Sequence, residues 1–312
     1  MIMAMNNQNI KDFIQAVASK LPGELVREKE PLADHTTFKI GGPVDVFVTP
    51  RTIEELSFVM QMIDRYQIPL TILGLGSNVL VRDGGIRGAV VSLARMTTVK
   101  SCKEGVMTMG SGFLLKEVSE FALANSLTGL EFAVGIPGSL GGAVFMNAGA
   151  YISEMSRVVT AVWTVDAKGA CRKYTTGEFD FAYRHSVFQH TGEVIAQVEM
   201  TLETGDAYEI QALMEDLTRR RESKQPLEYA SAGSTFKRPE GYFAGTLIEE
   251  TGLKGLSVGD AQVSEKHAGF VINKGHASAC DVLTLIGQIQ DKVYEAHGVQ
   301  LEPEVRLLGI DK

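Results

Sequence analysis

Ile10, Phe13, Ile14, Val17 and Leu21 recur with the 3.6-residue period of an amphipathic helix, and Pro22-Gly23 ends the run. A second helix is predicted from Thr52, whose hydroxyl can cap the first turn while Glu55 reaches back to it, and it stops before Pro69. Apolar runs predict strands at 44–48 and 70–73 on either side of that helix, which makes a small α/β unit. Strands multiply beyond it, at 89–93, 106–110, 158–165, 171–175 and 194–202, with one helix over 114–124. The remainder reads as a helix over 207–221, a short helix over 245–250, strands at 262–263 and 269–273, a long helix over 281–296 and a last strand over 300–308. The order predicts an α+β fold in three blocks: 1–71, 72–205 and a smaller one over 206–298, with the terminal strand in 299–312 returning to the first.

Two stretches break the periodicity. One is 131–151, EFAVGIPGSLGGAVFMNAGAY, where Glu131 is the sole charge and Gly135, Gly138, Gly141, Gly142 and Gly149 lack the Cβ that keeps a backbone away from a ligand. The other is 72–80, ILGLGSNVL, where an apolar strand runs into Gly74, Gly76, Ser77 and Asn78. Successive N–H groups in such turns form anion-binding nests, so one large anionic cofactor, a nucleotide with a diphosphate, is expected. A Rossmann fingerprint is disfavoured, because Val79 stands where its third glycine belongs and no helix is predicted to follow. A phosphate loop for ATP lacks its Lys-Ser/Thr.

Composition narrows the partners. With 312 residues, 45% hydrophobic and 22% charged, the chain can bury more than one core. A net charge of −8 argues against nucleic acid. The exception is 219–238, RRRESKQPLEYASAGSTFKR, where Arg219, Arg220, Arg221, Lys224, Lys237 and Arg238 outnumber Glu222 and Glu228; a small polyanion fits it better than a polymer. For Arg219 and Arg220, a basic last helical turn favoured by the dipole is an equal reading. Cys102, Cys171 and Cys280 are odd in number and widely spaced, and His185, His190, His267 and His276 lack ligand spacing, so neither disulfides nor a metal is expected and the compartment reads as reducing cytosol. No apolar run approaches membrane length, the opening MIMAMNNQNIKD does not read as an export signal, and Met1, Met3 and Met5 each offer a start.

Six ordered pieces carry a resemblance: TTFKIGG at 36–42, GLGSNVL at 74–80, IPGSLGGAVFMNAGAY at 136–151, FAYRHSVF at 181–188, AGSTFKRP at 232–239 and LEPEVRLLG at 301–309. In these the chain resembles the UDP-N-acetylenolpyruvoylglucosamine reductase (UDP-N-acetylmuramate dehydrogenase) family, over nearly its whole length. The resemblance implies a two-part FAD-binding region of the vanillyl-alcohol-oxidase/PCMH type plus a smaller α+β substrate domain. It also implies non-covalent FAD, NADPH as hydride donor, enolpyruvyl-UDP-N-acetylglucosamine as substrate, and a cytoplasmic enzyme of peptidoglycan precursor synthesis that works as a monomer.

The family's site carries over residue by residue. Arg184 matches the arginine that holds the enolate carboxylate, a task suited to planar, permanently charged paired donors. Ser234 matches the proton donor to C2, and Glu304 the glutamate beside the reacting carboxylate, with Glu302 its bland neighbour on one strand face and Arg306 a potential ion-pair partner. Tyr183, Arg221, Lys224, Lys237 and Arg238 are expected at the UDP-sugar. FAD contacts are expected from Gly74, Leu75, Gly76, Ser77, Asn78, Val79, Gly135, Ile136, Pro137, Gly138, Gly141, Gly142, Ala143, Asn147 and Ala150. Some members carry an inserted loop whose tyrosine closes over the substrate; here 188–193 is short and Tyr208 falls in a helix, so the chain resembles the shorter type, and Tyr229 and Tyr242 are candidates for covering the site. Two other readings compete. An oxidase with covalent flavin would want a histidine in a glycine-rich piece, and a non-catalytic nucleotide module would not need Arg184, Ser234 and Glu304 together.

Overall fold

The computed structural model describes residues 7–151 and 153–312, so Met1, Met3 and Met5 lie outside the described residues. The chain divides into two compact units built from interleaved segments. One comprises 1–28, 45–75 and 88–219; the other comprises 29–44, 76–87 and 220–312.

In the first unit the opening helix Asn7–Ala18 buries Phe13 and Val17. The second, Ile53–Tyr66, is capped by Thr52, whose hydroxyl accepts from the Glu55 N–H at 3.2 Å. The Glu55 carboxylate reaches back to the cap and accepts from the Arg51 N–H at 2.8 Å. Both helices pack with the strand residues Val46 and Val48 in a core that also takes Leu56, Val59, Ala89 and Val91. The strand after the second helix, Leu70–Leu73, does not lie beside Val44–Val48: the four-stranded order places Ile86–Ser92 between them, parallel to Leu70–Leu73.

A five-stranded antiparallel sheet forms the rest of this unit, in the spatial order Cys171–Thr175, Val159–Val165, Val194–Thr201, Val106–Gly110, Lys100–Lys103. Its edge strand Lys100–Lys103 lies outside the predicted elements, because Lys-Ser-Cys-Lys has no apolar alternation to reveal it. One face buries Met107, Met109, Val162 and Val198 under the helix Leu115–Ala124 and the glycine-rich stretch.

The second unit has its own core around the long helix Ala279–His297, whose Val282, Leu285, Ile286, Ile289 and Val293 are buried at helical spacing. Ser278 and Asp281 close a reciprocal capping box there, which starts the helix two residues ahead of the predicted 281. The core draws Phe38, Ile40 and Leu80 from the two short segments far upstream. A small antiparallel sheet orders Ala230–Ser231, Val271–Asn273, Ala261–Val263 and Ser257–Val258. The predicted last strand shrinks to Arg306–Leu308, since Pro303 has no N–H for a ladder, and it runs parallel to Val79–Val81. Its partner therefore lies beyond the first 71 residues.

Candidate active site

Arg184 sits at the tip of a two-residue turn. Ala182 and His185 exchange both backbone hydrogen bonds, at 3.2 and 3.1 Å, and Arg184 itself takes φ +55°. A left-handed arginine costs roughly 1–2 kcal/mol and persists only where its surroundings fix it. They do so here at several points. Gln189 Nε2 donates to Arg184 O at 2.9 Å, Asn147 Nδ2 donates to Ala182 O at 3.1 Å, and Ser186 Oγ donates to Phe145 O at 2.7 Å. His185 Nε2 lies 3.1 Å from Asp180, and the half-buried guanidinium lies 4.9 Å from the ring centre of the exposed Tyr183.

The bolts run to the glycine-rich stretch, which is not a continuous nest. Ser139 caps a six-residue helix, Leu140–Phe145, and the N–H groups of Leu140, Gly141 and Gly142 are consumed by Phe113 O, Ser111 O and Ser139 Oγ. Gly141 is there for close approach, since a Cβ would stand 2.7 Å from Ser111 Cβ. Ala143 is buried in the core. Asn147 is fully buried and its amide is used up internally: besides Ala182 it donates to Glu154 at 3.0 Å and accepts from the Ser156 N–H at 2.9 Å. It acts as a brace between the Gly149–Ala150/Ser153–Glu154 hairpin and the Arg184 turn. Among the described residues, nothing accepts from the backbone N–H of Gly135, Gly138 or Ser139. Leu75 and Ser139 line one cavity of about 270 Å³ with Ala94, Thr97, Gly112 and Leu114, so the end of 72–75 and the start of the second glycine-rich piece do meet. Ile136 packs against the core beside the intervening Pro137.

Glu154 carries no signal in the sequence pattern. Its carboxylate is held below the ordinary glutamate range, first by the Ser156 hydroxyl at 2.6 Å and further by the Asn147 amide and the nearby Arg157 and Arg184 charges, against the cost of its burial.

In the second unit, Phe236 and Pro303 form an antiparallel bridge. The Glu304 N–H donates to Thr235 O and the Lys237 N–H to Glu302 O, each at 2.8 Å, so the chain on either side of 235–237 is held against 302–304. This brings together the segments that carry the exposed Ser234 and the half-buried Glu304 despite 69 intervening positions in the sequence. Asn78 joins them: its Nδ2 donates to Glu304 O at 3.4 Å, and its own carbonyl accepts from the Arg306 N–H at 3.0 Å. Gly76 is obligatory in this turn, at φ +70° with His35 O only 2.2 Å from any Cβ. Among the described residues, nothing accepts from the backbone N–H of Gly76, Ser77 or Asn78, which leaves three successive donors for an anion. Val79 opens the strand beyond them.

The basic residues divide. Lys237 pairs with Glu302 at 3.1 Å, so Glu302 is the lysine's partner. Arg238 stacks 4.0 Å over the exposed Phe243, while Arg221 and Lys224 close the helix Ala207–Lys224. Tyr208 is 82% exposed on that helix.

Residues 44–175 match the FAD binding domain family, and residues 225–308 match the C-terminal domain of UDP-N-acetylenolpyruvoylglucosamine reductase. The UDP-N-acetylenolpyruvoylglucosamine reductase of Clostridium tetani (strain Massachusetts / E88) is 47% identical over 302 residues, spanning 97% of this chain and 98% of that protein. The chain belongs to the UDP-N-acetylenolpyruvoylglucosamine reductase family. A reductase of the same name from Clostridioides difficile (strain 630) is 48% identical over 98% of this chain and its own full length. The crystal structure of the family member from Thermus caldophilus superposes with a TM-score of 0.79 at 36% identity, covering 91% of this chain and 100% of that one. Wild-type Phl p 4.0202, a glucose dehydrogenase, shares the fold alone, with a TM-score of 0.50, 14% identity and coverage of 93% of this chain and 63% of that one. The α+β architecture is thus the family's flavin-binding region with a smaller C-terminal domain. The donor set at 76–78 fits the diphosphate of FAD, since its three successive backbone N–H groups have no acceptor among the described residues. Among the described residues, no group of three or more His, Cys, Asp or Glu could hold a metal, and no helix is long and apolar enough to cross a membrane.

Proposed function

We propose that this chain catalyses the FAD-dependent, NADPH-driven reduction of enolpyruvyl-UDP-N-acetylglucosamine to UDP-N-acetylmuramate, in the cytoplasm and as a monomer. FAD, held by the backbone N–H groups at 76–78, would supply the hydride chemistry that links the nicotinamide to C3 of the enolpyruvyl double bond. The protein's task is to stabilise the charge that this delivery creates. Negative charge develops on C2 and spreads into the neighbouring carboxylate, so a fixed cation there and a proton for C2 lower the barrier. Arg184 supplies the cation, held in place by its pinned turn. Ser234 supplies the proton; its hydroxyl is a weak acid, adequate because the carbanion is far more basic. Glu304 flanks the carboxylate and completes the hydrogen bonding, and Arg221, Lys224 and Arg238 share the UDP diphosphate with Tyr183 at the sugar end.

The observation that carries this reading is the backbone pairing of 235–237 with 302–304, which sets the segment beside Ser234 against Glu304. The test uses the purified protein under anaerobic conditions. A yellow colour released by acid, bleaching by NADPH, and recovery of colour on adding the enolpyruvyl UDP-sugar are expected. A colourless protein that ignores added FAD, or recovery of colour indifferent to the sugar, would overturn it.

A further inference from the structure

We propose that Gln189 is a positioning residue for Arg184, coupling the arginine's backbone to the glycine-rich segment; this deepens the proposed function and rests on its assignment of Arg184. One carboxamide nitrogen serves two carbonyls, Arg184 O at 2.9 Å and Phe145 O at 3.0 Å. Only an NH₂ group can do this, because both partners are acceptors, so the orientation of the amide is dictated by its surroundings. Phe145 is the last residue of the helix Leu140–Phe145, whose other end is docked through Leu140 and Gly141 onto 111–113. Ser186 Oγ grips the same Phe145 carbonyl, so that acceptor is shared by two side chains flanking the turn. Gln189 itself is fixed, half-buried, in the short helix Phe188–Thr191, where its N–H returns to Ser186 O at 3.1 Å.

The consequence concerns direction. The Ala182–His185 bonds close the turn and hold the peptide after Arg184 by its N–H; the Gln189 bond holds the same peptide by its carbonyl, and so fixes from both sides the left-handed conformation from which the guanidinium projects. A displacement near 1 Å at a reacting group is enough to cost about a hundredfold in rate. Gln189 makes this contact through the backbone of Arg184, so its effect should appear wherever Arg184 acts and nowhere else.

Gln189→Glu keeps the shape and replaces the donor with an acceptor facing two carbonyls; Gln189→Met keeps the length without any donor and serves should the charged variant not fold. Each half-reaction is followed by flavin absorbance. Both variants should retain bound flavin and reduction by NADPH within about twofold, and should slow reoxidation by the enolpyruvyl UDP-sugar about 10- to 100-fold. In an Arg184→Ala background the same substitutions should change reoxidation less than about twofold, which a general structural role would not produce. Equal slowing of both half-reactions, or undiminished slowing in the Arg184→Ala background, would overturn the inference. Failure of the parent reading looks different: Arg184→Ala alone would then leave reoxidation untouched.

Discussion

Ser234 and Glu304 show how little a residue's type says until its neighbours are known. Ser234 is an exposed hydroxyl after Gly233, and spacing alone would make it a turn serine. What distinguishes it is the isolated bridge that sets the segment after it against 302–304. Ser234→Ala is expected to leave reduction by NADPH unchanged and to slow reoxidation by the UDP-sugar at least about 100-fold, the usual span of a positioned proton donor; stopped-flow traces of the two half-reactions check it. Lys237 tests the opposite case. Because its ammonium is paired with exposed Glu302, Lys237→Met should raise the KM for the sugar less than Arg238→Met does, as steady-state kinetics with varied sugar would show. Asn147 reads in the sequence as one of many cofactor contacts, yet burial turns it into a brace. Nothing in a linear pattern separates an amide that meets a ligand from one that meets Glu154 and Ala182, since both pairings depend on which hairpin closes across it.

Elements were far more legible than contacts. The strands at 44–48, 70–73, 106–110 and 171–175 and the helices at 53–66 and 115–124 follow from apolar period and caps, because each buries a face whose spacing is fixed by its own backbone geometry. The glycine-rich stretch was legible as irregular but not as a short helix with its first N–H groups already spent, since their acceptors at 111–113 are distant in sequence. Gly141→Ala should destabilise the fold and weaken flavin retention together, as a Cβ 2.7 Å from Ser111 Cβ must push the helix off its docking strand; thermal melts with and without FAD measure both. Glu154 ties the hairpin to the Arg184 turn as a carboxylate whose pKa is lowered in the folded state. The stability it contributes is therefore present above the unfolded value, about 4.3, and disappears as pH falls through the lower folded value. Glu154→Gln should melt below the parent at pH 7 and converge with it as the solution is acidified towards pH 3.

Interleaving governs the molecule as a whole. The segment 220–312 looks separable by sequence, and a family boundary falls within five residues of its start, yet its core is not self-contained: Phe38, Ile40 and Leu80 are each at most 3% exposed and belong to it. Burying three such side chains contributes roughly 1.5–3 kcal/mol apiece, against a total stability of only about 5–15 kcal/mol for a domain. Losing the upstream segments also strips Arg306–Leu308 of its parallel partner and removes the Phe38 carbonyl that accepts from buried Asn273 at 3.1 Å, leaving an amide donor stranded. The isolated fragment 220–312 should therefore lack a cooperative melt and dispersed amide resonances, whereas a version with 29–44 and 76–87 joined to it through flexible linkers should recover both. A cooperative transition in the bare fragment would mean that the long helix Ala279–His297 and its small sheet carry a sufficient core by themselves, and that the upstream segments are bound for the site they shape at Gly76–Asn78 rather than for stability.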